Sequence, residues 1–248
     1  NDNLNELRQK ILDLSKEYFS EKNSKQNFIP YISDIPVTGK VLDENDIYNL
    51  VESSLDAWLT TGRFSDMFEK SIRKFLGVRH CLFVNSGSSA NLLAISALKV
   101  FYNIPEGSEV ITSAVNFPTT MNPIIQNNLK PVLVDVEANN YNINAELIEE
   151  KITPKTSGIV LAHALGNPFD LTKIVEIAKK HNLFIMEDSC DAFGSKFDNQ
   201  YVGTFGDVAT LSFYPAHHIT TGEGGAVLTN NPKLKKIRGV WYTPDPVV

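Results

Sequence analysis

The sequence predicts an α/β fold with a mostly parallel central sheet flanked by helices. Two observations carry this. From residue 79 onward, short apolar runs alternate with stretches of helical periodicity, the β-α-β-α order that builds parallel sheets. The runs are also apolar along most of their length, as strands buried on both faces are. A hydrophobic share of 42% with 21% charged residues fits a packed chain and not a disordered one.

The elements follow in order. Leu4, Leu7, Ile11, Leu14 and Tyr18 recur at helical spacing and predict an amphipathic helix over 4–22. Residues 23–43 are polar, hold Asn23, Asn27, Pro30, Pro36 and Gly39, and read as an extended arm. Helices are expected near 44–59 and 64–75. Asp43, Glu44 and Asp46 open the first, as suits the positive end of a helix dipole. Strands are then expected at 81–84 (CLFV), 109–112 (EVIT), 131–136 (PVLVDV), 158–164 (GIVLAHA), 183–188 (LFIMED) and 209–214 (ATLSFY). Helices from about 89, near 118–128, near 144–151 and at 170–182 connect them. This divides the chain into an N-terminal helical and arm region, 1–75, and an α/β domain, 76–248.

Composition excludes several roles. The 248 residues carry 23 Lys+Arg against 29 Asp+Glu, a net charge of −6, which argues against nucleic acid as the main partner. No apolar run approaches the ~20 residues of a membrane span. The opening NDNLNELRQK is polar and does not read as a secretory signal. Cys81 and Cys190 are the only cysteines, so a disulfide framework is excluded and a reduced, cytoplasmic setting is expected.

Ligands of parallel sheets gather at the carboxyl ends of the strands. After CLFV, the small residues Ser86, Gly87, Ser88 and Ser89 open a helix. They suit either a phosphate cradle or a Ser-capped turn. The segment matches neither GxGxxG nor GxxxxGK[ST]. After EVIT, Phe117 is either a platform for a planar ring or a core residue. After LFIM come Glu187, Asp188 and Asp191. A carboxylate held there can bind a protonated ring nitrogen, or the acids can be caps and surface charges. After ATL, His217 and His218 precede a Gly-rich turn. Adjacent side chains on extended backbone diverge, so joint metal ligation is not expected, and no zinc spacing is present. One imidazole can act as a general base near neutral pH.

Taken in order, NSGSSAN, VNFP, MEDSCDAFGS and SFYPAHHITTGEGG resemble the sugar aminotransferase family (DegT/DnrJ/StrS type) of fold-type-I pyridoxal-phosphate enzymes. The similarity runs from about 37 to 234. The resemblance implies the large cofactor-binding domain of that fold. It implies that Gly87, Ser88, Ser89 and Ser212 hold the cofactor phosphate, that Phe117 stacks on the pyridine ring, and that Asp188 pairs with the ring nitrogen. Asp191 stands where the aminotransferases have Gln, near the ring hydroxyl. It also implies a homodimer.

One departure sets the expected chemistry. Where these aminotransferases have a lysine that holds the cofactor covalently, this chain has His217, and no lysine lies between Lys196 and Lys233. Histidine has no primary amine for that bond. A His in SFYPAHHIT is similar to the nucleotide-sugar 4-keto-6-deoxyhexose 3-dehydratases, closest to those acting on CDP-4-keto-6-deoxy-D-glucose. That subgroup implies pyridoxamine phosphate held without a covalent bond, a CDP- or GDP-linked sugar, and His217 as the base in loss of the C3 hydroxyl, in 3,6-dideoxyhexose and O-antigen synthesis. The CDP-sugar enzymes also carry a [2Fe–2S] cluster served by a reductase. Cys190 matches one of its ligands, but no cysteine follows it, and a cluster needs about four ligands. The family pattern stops near Leu234–Ile237, so the family's small C-terminal domain is expected to be absent. The alternatives are a sugar aminotransferase and a truncated, non-catalytic cofactor-binding module.

Overall fold

The computed structural model describes residues 2–23, 28–35, 39 and 41–237. Parts of the expected arm, and the segment after 237, lie outside the described residues. The chain divides into two compact units, Asn1–Met67 and Phe68–Val248, with the division inside a helix.

In the first unit, α1 (Asp2–Asn23) and α2 (Glu44–Leu55) pack together. Asp43 caps α2 through a capping box with Asp46, satisfying amides that a helix start leaves unpaired. The apolar stripe of the expected amphipathic helix is exposed, with Leu4 at 65% and Leu14 at 64%, and Leu12 is the buried residue of α1. Asp56 accepts from Arg8 at 2.6 Å and from Arg63 at 2.7 Å. The Arg63 guanidinium, then that of Arg8, holds its carboxyl down at about 2.

The second unit begins within α3 (Arg63–Leu76). Its seven-stranded sheet comprises β1 (His80–Val84), β2 (Glu109–Ser113), β3 (Lys130–Val134), β4 (Thr156–Ala162), β5 (Phe184–Asp188), β8 (Val208–Ser212) and β9 (Gly225–Thr229). The short hairpin β6 (Lys196–Phe197) and β7 (Gln200–Tyr201) lies apart. The order is β1-β9-β8-β5-β4-β2-β3. β2, β3, β4, β5 and β8 are parallel, and β9 runs antiparallel between β1 and β8. The sheet is therefore mostly parallel, with one reversed strand. The carboxyl ends of the other six share an edge with the start of β9, where Gly225 pairs with both Val84 and Ser212.

Period-2 alternation assigns the two faces. Val160, Phe184, Met186, Val208 and Val227 pack under α4 (Gly87–Phe101) and α5 (Pro118–Gln126). Ala90, Ala94 and Ala97, all fully buried, let α4 lie close to the strands. The opposite face carries Ile159, Leu161 and Ile185 under α6 (Leu171–His181), and Leu211 and Leu228 with Ile72 and Leu76 of α3. A short α7 (Pro232–Lys235) follows β9.

Two expectations need correction. The helix expected at 144–151 is a pair of 3₁₀ turns, Ala145–Leu147 and Glu149–Lys151. A short segment makes few helical bonds, and the three-residue spacing of the 3₁₀ turn buries Ala145 and Ile148 together. Strand β9 was not among the expected strands, and all five of its residues are buried. The apolar run after Gly224-Gly225 was its signal.

Gly158 in β4 lies beneath the Phe184 ring, which a Cβ would meet at 2.3 Å. Phe184 is buried and cannot swing away. Gly158→Ala should therefore cost about 1–3 kcal/mol in urea unfolding, with an unchanged far-UV spectrum.

Candidate active site

The strand ends of the second unit surround a cavity of about 750 Å³, within the range of small-molecule sites. Gly87, Ser88, Phe117, Asp188, Asp191, Ser212 and His217 all line it. Ser89 sits one residue further into α4.

The cavity floor is the start of α4. Ser86 caps it, its Oγ accepting the Ser89 N–H at 3.1 Å. The Gly87 and Ser88 amides belong to the first turn, before intrahelical bonding begins, so they are suited to an anion. Gly87 is required sterically. A Cβ there would come within 2.6 Å of Ser212 Cβ and 3.0 Å of Cys190 Sγ. Gly225 presses equally close, since its Cβ would lie 2.2 Å from the Ser86 carbonyl oxygen. The antiparallel strand missed in the sequence thus braces the loop.

Phe117 stands at the start of α5, ahead of Pro118, and is 70% exposed. An aromatic left open at a cavity is available for a planar ring, whereas the core alternative would bury it.

Two adjacent acids of β5 face opposite sides of the sheet. Glu187 is fully buried. It accepts the N–H groups of Gly203, Phe205 and Gly206 at 2.7–2.8 Å and lies 3.2 Å from His163 Nε2. It is consumed by holding the 203–206 loop. Asp188, 5% exposed, faces α4 and the cavity. Its Oδ2 accepts from Asn91 Nδ2 at 2.8 Å and Thr120 Oγ1 at 2.7 Å. Its Oδ1 accepts the Cys190 N–H at 3.2 Å. These donors are neutral, and no Lys, Arg or His among the described residues is paired with it. A buried carboxylate beside a cavity with only neutral donors is complementary to a cationic ligand atom.

His217 Nδ1 lies 2.9 Å from Asp191 Oδ1. The imidazole holds the Asp191 carboxyl below its usual range. An ionised acceptor at this distance places the proton on Nδ1 and leaves Nε2 with its lone pair when the ring is neutral. Asp191 is itself fixed by the Ala164–Gly166 turn. Gly166, at φ +84, approaches so closely that a Cβ would meet the Asp191 carbonyl oxygen at 2.6 Å. His217 closes its own turn, its N–H donating to the Tyr214 carbonyl at 3.0 Å. His218 is not among the residues lining the cavity.

Both cysteines are free thiols. Burial, reinforced by the Asp188 charge, pushes the Cys190 thiol well up, which keeps it protonated. Cys81 belongs to the core beneath α3. Among the described residues no three His, Cys, Asp or Glu side chains are grouped to hold a metal.

Sequence reading overlooked Asn91, Thr120 and Thr210. Asn91 was detectable. It stands one helical turn after Gly87 on the face that carries Ala90 and Ala94, where a buried amide must have partners. Thr120 and Thr210 gave no such signal.

Comparison with known proteins finds relatives of this chain. A model of the DegT/DnrJ/EryC1/StrS aminotransferase family matches residues 41–240. The lipopolysaccharide biosynthesis protein RfbH of Salmonella typhimurium is 52% identical over 237 residues, covering 94% of this chain and 54% of that protein. The dTDP-4-dehydro-2,6-dideoxy-D-glucose 3-dehydratase of Saccharopolyspora spinosa is 47% identical over 236 residues, covering 94% and 51%. The structure of E. coli GDP-4-keto-6-deoxy-D-mannose-3-dehydratase with bound hydrated PLP superposes with a TM-score of 0.76 at 33% identity, over 81% of this chain and 52% of that one. Aminotransferases are also among the matching structures. The chain spans about half the length of the curated relatives it matches.

Two outcomes are expected. Gly87→Ala should displace Ser212, lower stability by about 1–3 kcal/mol and weaken binding of a phosphate monoester, measured by urea unfolding and titration. The Asp191 carboxyl titrates below its unfolded value. Its pairing therefore stabilises the fold above the ordinary aspartate range and is lost as pH falls through the lowered value. The melting-temperature gap between the protein and Asp191→Asn, followed from about pH 6 to about pH 3, should close toward the acid end.

Proposed function

The chain belongs to the DegT/DnrJ/EryC1/StrS aminotransferase family, and from that premise we propose that it takes part in the C3 dehydration of a nucleotide-linked 4-keto-6-deoxyhexose, in dideoxysugar and lipopolysaccharide synthesis. One observation carries the reading. The cavity holds a His217–Asp191 pair, and none of its lining residues is a lysine.

The residues present fit pyridoxamine or pyridoxal phosphate. The amides of Gly87 and Ser88, with the hydroxyls of Ser88, Ser89 and Ser212, would hold the phosphate. Phe117 would cover one face of the ring. Asp188 would bind the protonated ring nitrogen, whose positive charge is the counter-charge that the neutral donors around Asp188 lack. When bound, pyridoxamine phosphate supplies an amine for the C4 ketone and a ring that accepts electrons.

The chain's own residues then handle protons. Asp191 accepts from Nδ1 of His217, which fixes the tautomer and aims Nε2. With the cofactor bound, Nε2 of His217 would be the base that takes up a proton and would return it to the C3 hydroxyl as that leaves as water. A lysine in this place would hold the cofactor covalently, whereas histidine leaves the amine free for the sugar. The missed strand β9 and the 164–166 turn keep the loop and Asp191 in place throughout.

Names of relatives support this reading, since three are 3-dehydratases of nucleotide-linked sugars. A CDP- or GDP-linked sugar, a homodimer, a reductase partner and a cytoplasmic location belong to the same proposal. No helix among the described residues is long and apolar enough to cross a membrane. The aminotransferase reading has the aminotransferases among the matched structures in its favour.

His217→Asn should abolish water loss from the 4-keto-6-deoxy sugar while pyridoxamine phosphate still binds. Absorbance spectra with the cofactor, before and after CDP- or GDP-linked sugar, measure both. Undiminished dehydration by this variant would remove the proposal. Formation of an aminosugar from glutamate and the ketosugar would favour the aminotransferase.

A further inference from the structure

Asp188 does not stand alone. Its Oδ2 takes two side-chain hydrogen bonds, from Asn91 on α4 and Thr120 on α5. Both residues are buried, at 1% and 0% exposure. The Asn91 amide is held in turn. Its Oδ1 accepts from Thr210 Oγ1 on β8 at 2.6 Å, and its Nδ2 also donates to the Thr119 carbonyl at 3.0 Å. The Thr119 carbonyl and the Asp188 carboxylate both accept from Nδ2 and fix which end of the amide faces Asp188, while the Thr210 hydroxyl donates to Oδ1. Turned over, the amide would set its oxygen against two acceptors, the carboxylate and the Thr119 carbonyl.

We propose that Asn91, Thr120 and Thr210 form a positioning network that commits Oδ2 of Asp188 to the protein and keeps its negative charge in place, so that the proton shared with a bound heteroaromatic nitrogen resides on the ring. The inference rests on the reading of Asp188 as the partner of that nitrogen. Its physics is local. Donors on a carboxylate oxygen stabilise the charge and lower the oxygen's appetite for a proton. A buried carboxylate stripped of donors favours the neutral acid beside a neutral ring nitrogen. Three elements of the fold, α4, α5 and β8, thereby decide on which side of one hydrogen bond the proton sits. Asn91 acts on Asp188 directly, and Thr210 acts one bond further away by holding the amide.

The test uses pyridoxamine 5′-phosphate labelled with ¹⁵N in the ring. The chain, Asn91→Leu, Thr120→Val, Thr210→Val, Thr210→Ser and Asp188→Asn are compared by ¹⁵N chemical shift of the bound cofactor, by cofactor affinity and by melting temperature. In the unmodified chain the ring nitrogen should give the protonated signal. Asn91→Leu and Thr120→Val should move it toward the neutral position and weaken binding about tenfold or more. Thr210→Val should show a smaller shift in the same direction, and Thr210→Ser, which keeps the hydroxyl, should match the unmodified chain. Thr120→Val is near-isosteric, so it remains informative if Asn91→Leu fails to fold. Lower melting temperatures with the ¹⁵N signal unmoved in the folded variants would mean a merely structural network and would overturn the inference. A protonated signal retained in Asp188→Asn would instead defeat the underlying assignment of Asp188.

Discussion

The structure depends on how one central strand buries two consecutive carboxylates. Neighbouring residues of a strand point to opposite faces, so Glu187 and Asp188 meet different environments across one peptide bond. Burying a carboxylate costs several kcal/mol unless its lone pairs are met. Glu187 meets three backbone amides and an imidazole and is saturated. Asp188 meets neutral donors only and faces a cavity. One acid therefore organises the fold, and the other is left facing the cavity.

The rest of the site is arranged around that strand. The parallel strands deliver their carboxyl ends to one edge, and small residues bring the first turn of α4 to the same edge. Ala90 and Ala94 permit the approach of the helix, and Gly87 and Gly225 permit the approach of its loop. Asp191 and His217 come from the ends of different strands and meet only because β5 and β8 are neighbours in the sheet. Gly87, Phe117, Asp188 and His217 thus come from four separate strand ends.

Much of this was legible in the residues. Alternation of apolar runs with helical stretches identified the α/β class, and the first residue after each run pointed to the site. The strand-end segments also carried the family resemblance, and His217 in place of a lysine directed the proposed chemistry. The 144–151 segment was read with the wrong period because eight residues do not distinguish an α-helix from two 3₁₀ turns. Strand β9 was hidden because a Gly-rich turn flows into it without a break. The α1 stripe was read correctly as periodic, but periodicity does not say whether a face is covered.

The sequence by itself determined which side chains were available: a small-residue loop, an exposed aromatic, an acid pair, and a histidine in place of a lysine. The tertiary structure alone decided their relationships. It gave Asp188 the partners Asn91 and Thr120, 97 and 68 residues away along the chain, and it joined Asp191 to His217. The reason is physical. Periodicity and propensity act over a few residues, whereas a hydrogen bond depends on distance in space. That distance is fixed only when the strand order and the packing of α4 and α5 are complete.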